Sequence, residues 1–259
     1  MADPDDVYSA WAELEELGIA QDTLPVTYMN SAASLKAFGG ERGGAVCTSS
    51  NAKKVMEWAF AKKKRVLFFP DQHLGRNTGY AMGIPLEQMA LWGWARPYGS
   101  MGGRTLDELQ QSRVILWAGH CSVHQRFTPH QIDEARAKHP GVTVIVHPEC
   151  RWETVQASDL NGSTEFIAKT IGSAPAGTTF AVGTEINLVS RLAKENPDKT
   201  VFCLDPVVCP CSTMYRVHPA YLAWTIESLA EGRIVNQIAV PEEIAGPAKL
   251  ALDRMLAIR

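Results

Sequence analysis

The sequence predicts a parallel α/β protein, and two observations carry that expectation. Short β-branched or aromatic runs alternate with amphipathic stretches along the whole chain, and polar, acidic and thiol residues gather just after the runs. With 259 residues, 46% of them apolar, the chain can bury a substantial core as one large domain or two ordinary ones.

Leu24–Tyr28, Arg65–Phe69, Val114–Trp117, Val142–Val146, Thr178–Val182 and Thr200–Cys203 read as strands, each followed by a helical or Gly-rich segment. Ahead of them, Asp3 caps a helix through Leu17, with Pro4 at its first position and Gly18 closing it; Thr128 with Pro129 starts another through Lys138. Met82–Arg104 carries several glycines with Trp92, Trp94 and Pro97, and reads as a long ordered loop between a helix and the next strand. The spacing hints that residues 20–120 and 121–210 are two units of similar plan.

A formal charge of −3 and a pI near 6.2 give no electrostatic reason to bind nucleic acid or an anionic membrane. The basic run Lys62–Arg65 reads as a solvated helix end. No run approaches the roughly 18 apolar residues of a membrane span, and Met1–Asp6 is acidic where a secretory signal is basic, so the cytoplasm is the expected compartment. Six cysteines in such a chain are thiols rather than a disulfide framework, and a metal site among them has to be assembled by the fold.

In open parallel sheets, ligands bind beyond the carboxyl ends of the strands. Those exits hold Tyr28 and Asn30, then Thr48, Ser49 and Ser50, Asp71 and His73, Cys121 and His124, His147 and Glu149, Thr184 and Glu185, and finally Cys209 and Cys211. His147 and Glu149 flank Pro148; the pair suits proton transfer, or is a satisfied strand-end histidine beside a solvated glutamate. Ser163 and Thr164 open a helix and either hold an anion at its positive end or simply cap it, and Ser49 has the same two readings. Tyr28 and Asn30 alternate on one strand face, as substrate-orienting or core groups; His218, Tyr221 and Trp224 fall at helical spacing and read as packing. The Cys209/Cys211 pair lacks the spacing of a zinc knuckle, and no second pair exists.

The ordered set VTYMN, CTSSN, PDQHLGR, LWAGHCSVH, VHPE, NGSTEFI, GTE and CSTM resembles the quinolinate synthases over essentially the whole chain. The resemblance implies α/β/α domains with short parallel sheets around a pseudo-threefold axis, with residues 1–120 as the family's second domain, 121–211 as its third and 212–259 as a C-terminal helical segment. It implies a [4Fe–4S] cluster held by one cysteine per domain, matched here by Cys121 and Cys211. The first ligand has no match: Met1–Ala2–Asp3 is similar to the tail of the motif that carries it, so a first domain is expected upstream of a mis-assigned start or a truncation. Cys47 and Cys150 stay structural.

By the same resemblance, iminoaspartate condenses with dihydroxyacetone phosphate to quinolinate for NAD synthesis, and coupling to an aspartate-oxidising enzyme is expected. Tyr28, Asn30 and Ser49 orient substrate, Tyr28, His147 and Glu149 act in catalysis, and Ser163 with Thr164 bind phosphate or carboxylate. Two other readings stay open: an inactive fragment of that enzyme, or a mononuclear metal hydrolase using Cys, His and Glu.

Overall fold

Asp3 accepts a hydrogen bond from the Asp5 amide and caps α1 (Pro4–Glu16), which closes at Gly18 with φ +68°, a conformation that favours glycine. This computed structural model describes residues 2–207 and 211–258; Met1 and Cys209 lie outside the described residues. From α1 onward, the strands are β1 (Thr23–Tyr28), β2 (Ala45–Cys47), β3 (Arg65–Phe69), β4 (Met89–Trp92) and β5 (Val114–Trp117). They pair in parallel in the order β2-β1-β3-β5-β4. The connecting helices are α2 (Ala33–Glu41), α3 (Ala52–Phe60), α4 (Gln72–Ala81) and α5 (Leu106–Gln111).

Alternation along the strands sends side chains to both faces of this sheet. Val26, Val66, Phe68 and Leu116 meet α3 and α4 residues on one side, while Leu67, Phe69, Ile115 and Trp117 meet α1 and α2 residues on the other. Two apolar layers on one sheet give the three-layer α/β/α arrangement and explain why β1 and β3 are buried throughout. Pro25 is tolerated inside β1 because pairing with β2 begins only at Val26 and Ala45.

The second sheet holds β6 (Thr143–Val146), β7 (Leu160–Asn161), β8 (Thr179–Gly183) and β9 (Thr200–Cys203), all parallel in the order β7-β6-β8-β9. Its helices are α6 (Pro129–Lys138), α7 (Trp152–Ala157), α8 (Thr164–Ser173) and α9 (Ile186–Glu195). Val144 and Val146 face one core while Ile145 and Val182 face the other, so the layering repeats. Thr128 caps α6 through a reciprocal capping box with Gln131. Two further helices follow, α10 (Pro219–Ala230) and α11 (Glu242–Ala257).

Several sequence expectations need correction. Met82–Arg104 is not all loop: Met89–Trp92 forms the edge strand β4, its four residues hidden in the sequence among glycines and a turn-rich flank. The two-residue β7 is too short to leave a pattern. Arg65 is not a solvated helix end; it begins β3, is buried, and donates to the carbonyls of Ser112 and Gln110 at 2.9 Å each. Tyr221 and Trp224 do not pack into a core, being 59% and 45% exposed. Among the described residues, no helix is long and apolar enough to cross a membrane.

Candidate active site at the facing strand ends

Six strand exits converge. Tyr28 ends β1 beside Cys47 of β2, and the next loop carries Ser49 to a hydrogen bond with the phenol. Asn30 is not on the strand as expected but two residues beyond it, in an exposed turn. Burial pushes the Tyr28 phenol well above its ordinary range, with the negative charge of Glu149 acting in the same direction.

After β3, Asp71 caps α4 by accepting from the Leu74 amide at 2.8 Å, and its other oxygen accepts from the Cys121 amide at 3.0 Å. The Gln72 amide donates to the Gly119 carbonyl at 2.9 Å. The loop carrying Cys121 after β5 is therefore tied to the start of α4. Burial, and then the nearby Glu149, push the Asp71 carboxyl up to about 7.

The densest contacts lie where His124, His147 and Glu149 meet, all three buried. The rings of His124 and His147 stack at 4.5 Å and 20°. Glu149 Oε2 sits 2.8 Å from Nδ1 of His124 and 3.4 Å from Nδ1 of His147. The shorter contact is off-axis: neither His124 Nδ1 nor Glu149 Oε1 has an aligned hydrogen-bond partner among the described residues. His124 Nε2 lies 3.1 Å from the Thr184 hydroxyl.

Burial alone would drive both imidazoles neutral, but they part company. The Cys121 thiol and the Glu149 carboxylate outweigh burial at His124 and raise it to about 10, while burial and the neighbouring charged His124 hold His147 well below its ordinary value. One raised and one lowered imidazole thus face the same carboxylate.

Cys121 Sγ, a ring nitrogen of His124 and a Glu149 oxygen all lie within 4.8 Å of one another, a spacing that can accept a metal ion. Cys121, Cys203 and Cys211 all border the core cluster that contains Cys150. Cys47 and Cys150 are fully buried, and burial pushes both thiols far up, which suits packing rather than ligation.

Ser163 caps α8 by accepting from the Phe166 amide at 3.2 Å and is buried, whereas Thr164 is exposed. The structure brings Tyr28, Ser49, His147, Glu149 and Cys121 into one connected neighbourhood. Sequence reasoning left Asp71, His124 and Thr184 out of the named site residues, although each stood at a strand exit; His124, three residues after Cys121, had the clearest signal.

A family model, described as quinolinate synthetase A protein, matches residues 1–257. The chain belongs to this family. It is 58% identical to a quinolinate synthase of Corynebacterium glutamicum over 258 residues, covering all of this chain and 65% of the relative. Quinolinate synthases of Acidobacterium capsulatum and Geobacillus kaustophilus are 53% and 52% identical, each with 69% of its length covered. The chain thus spans about two thirds of the length of the quinolinate synthases it matches.

Proposed function

We propose that this chain is the larger part of a quinolinate synthase, which condenses iminoaspartate with dihydroxyacetone phosphate and closes the pyridine ring with loss of phosphate and water. The observation that carries the reading is the buried Glu149 Oε1, without a partner among the described residues, in a carboxylate held between two imidazoles beside a buried tyrosine. A buried acceptor left open costs free energy unless a ligand fills it.

In this reading Glu149 and the neutral His147 remove and return the protons that carbon–carbon bond formation and dehydration move, and Tyr28, hydrogen-bonded to Ser49, orients a substrate carbonyl or carboxylate. Asn30 reaches substrate from its turn, and Ser163 with Thr164 take a phosphate or carboxylate at the start of α8. Cys121 and Cys211, half-buried thiols on one core edge, fit as two ligands of a [4Fe–4S] cluster; the third would come from the part of the family's length that this chain does not span. When bound, a cluster with three thiolates offers an open iron as a Lewis acid for substrate oxygen. Free thiols at Cys47, Cys121, Cys150, Cys203 and Cys211 and two diffusible substrates fit a cytoplasmic enzyme supplied by an aspartate-oxidising partner.

The spacing of Cys121, His124 and Glu149 also favours a second reading, a single metal ion in a hydrolase site. Anaerobic iron and sulfide analysis, on this chain and on a form extended upstream to the length of its relatives, separates the two. About four irons with sulfide and quinolinate production in the extended form support the first reading; one zinc per chain without sulfide supports the second.

A further inference from the structure

The two carbonyls that flank Glu149 are both held by one side chain from the neighbouring sheet's helices. Asn77, on α4, donates its Nδ2 to the Pro148 carbonyl and to the Cys150 carbonyl, at 2.8 Å each. The residue is buried, and its Oδ1 has no partner among the described residues, so the amide's hydrogen bonding goes to those two bonds. Between the clamped carbonyls the Glu149 amide donates to His147 Nδ1 at 3.3 Å, and the Cys150 amide closes the turn on the His147 carbonyl at 2.9 Å. The amide contact makes Nδ1 an acceptor and so favours the Nε2–H tautomer of the neutral imidazole, against Glu149 Oε2, which lies 3.4 Å from the same nitrogen and favours Nδ1–H.

We propose that Asn77 is a positioning residue: by bridging the carbonyls on either side of Glu149 it sets the backbone of that residue and, through the Glu149 amide, the tautomer of His147. This rests on the reading of Glu149 and His147 as the proton-moving pair, but its structural part is independent of it. One end of α4 ties down the Cys121 loop through Asp71, and two turns later Asn77 ties down the Glu149 turn. The Cys121 loop after β5 and the Glu149 turn after β6 are therefore both referenced to one helix of the first sheet. A mid-helix asparagine has poor helix propensity, and this pair of long-range bonds is a reason for it to be there.

The test is histidine ¹⁵N NMR on the chain, with the His147 signals assigned through His147→Gln. In the unsubstituted protein His147 shows the Nε2–H tautomer at neutral pH. Asn77→Ala, checked for a cooperative thermal transition, is expected to show mixed tautomers there; should it not fold, Asn77→Ser, smaller but still a donor, is read instead and is expected to show partial mixing. An unchanged, single His147 tautomer in the folded variant overturns the proposal. In a quinolinate-forming extended form, Asn77→Ala is expected to lower kcat about a hundredfold with KM nearly unchanged, and a raised KM at full kcat also overturns it. Mixed tautomers in a protein that makes no quinolinate in any form would instead remove the functional reading and leave the clamp.

Discussion

Helices α10 and α11 both follow the second sheet, but only α11 returns to a core. Ala248, Ala251 and Met255 of α11 are buried against α2 and Val46, and Arg254 donates to the carbonyls of Gly40 and Gly44 at 2.9 and 2.7 Å. In α10, by contrast, Leu222, Trp224, Ile226 and Leu229 are all exposed, and the one buried residue is Ser228, whose hydroxyl has no partner among the described residues. Small residues decide the difference: Gly40 lets the α11 backbone approach so closely that an added Cβ would meet the Pro247 carbonyl oxygen at 1.9 Å. The first sheet is thus locked by the end of the chain, and through α4 it anchors the loops of Cys121 and Glu149.

The largest test of this contrast is a buried charge. Ala251→Asp should lower unfolding free energy by about 3–5 kcal/mol, because it buries a carboxylate in a packed contact whose Arg254 is already committed to the Gly40 and Gly44 carbonyls, whereas Leu222→Asp on α10 should stay within about 0.5 kcal/mol; urea unfolding measures both. Gly40→Ala should cost about 1–3 kcal/mol by overpacking the same helix contact. A loss at Leu222 as large as at Ala251 would show that α10 is buried in solution.

Thiol labelling compares the ligand cysteines with the structural ones. The half-buried Cys121 and Cys211 should react with a thiol reagent in the folded chain, while Cys47 and Cys150, fully buried with thiols pushed far up, should react only on unfolding. Mass spectrometry of the labelled peptides reads this directly.

The smallest effect is in the pH dependence of stability. Burial holds His73 down to about 4, against 6.5 for the ordinary side chain, so its contribution is complete above 6.5 and is lost as pH falls to 4, where the unfolded chain takes up a proton the native state refuses. Asp71, raised to about 7, works in the opposite direction over the same range, so the total slope is not diagnostic. The difference between the unsubstituted chain and His73→Gln is: it should narrow progressively between pH 6.5 and 4, and a constant difference would mean that His73 titrates normally.

Much of the fold was legible because its central strands are continuous apolar runs buried on both faces, as parallel sheets require; Arg65–Phe69 and Val114–Trp117 match to the residue, as does the partly exposed edge strand Thr200–Cys203. Met89–Trp92 escaped because its edge position rests on pairing with β5, a long-range fact. The exits named the neighbourhood of the site but not its wiring. That His124 contacts Glu149 and stacks on His147 depends on how two loops meet, and that Asn77 serves the Glu149 turn depends on α4 packing against α7. The ordered motifs, not any single tetrapeptide, carried the family resemblance.

The most direct measurement is quinolinate formation, with iron and sulfide content, in the upstream-extended protein bearing Glu149→Gln. If Glu149 moves protons and the thiols hold the cluster, kcat falls about 10²- to 10⁴-fold while iron and sulfide are unchanged. Full activity in that variant, or loss of metal along with activity, would contradict the assignment and make Glu149 a bystander or a ligand.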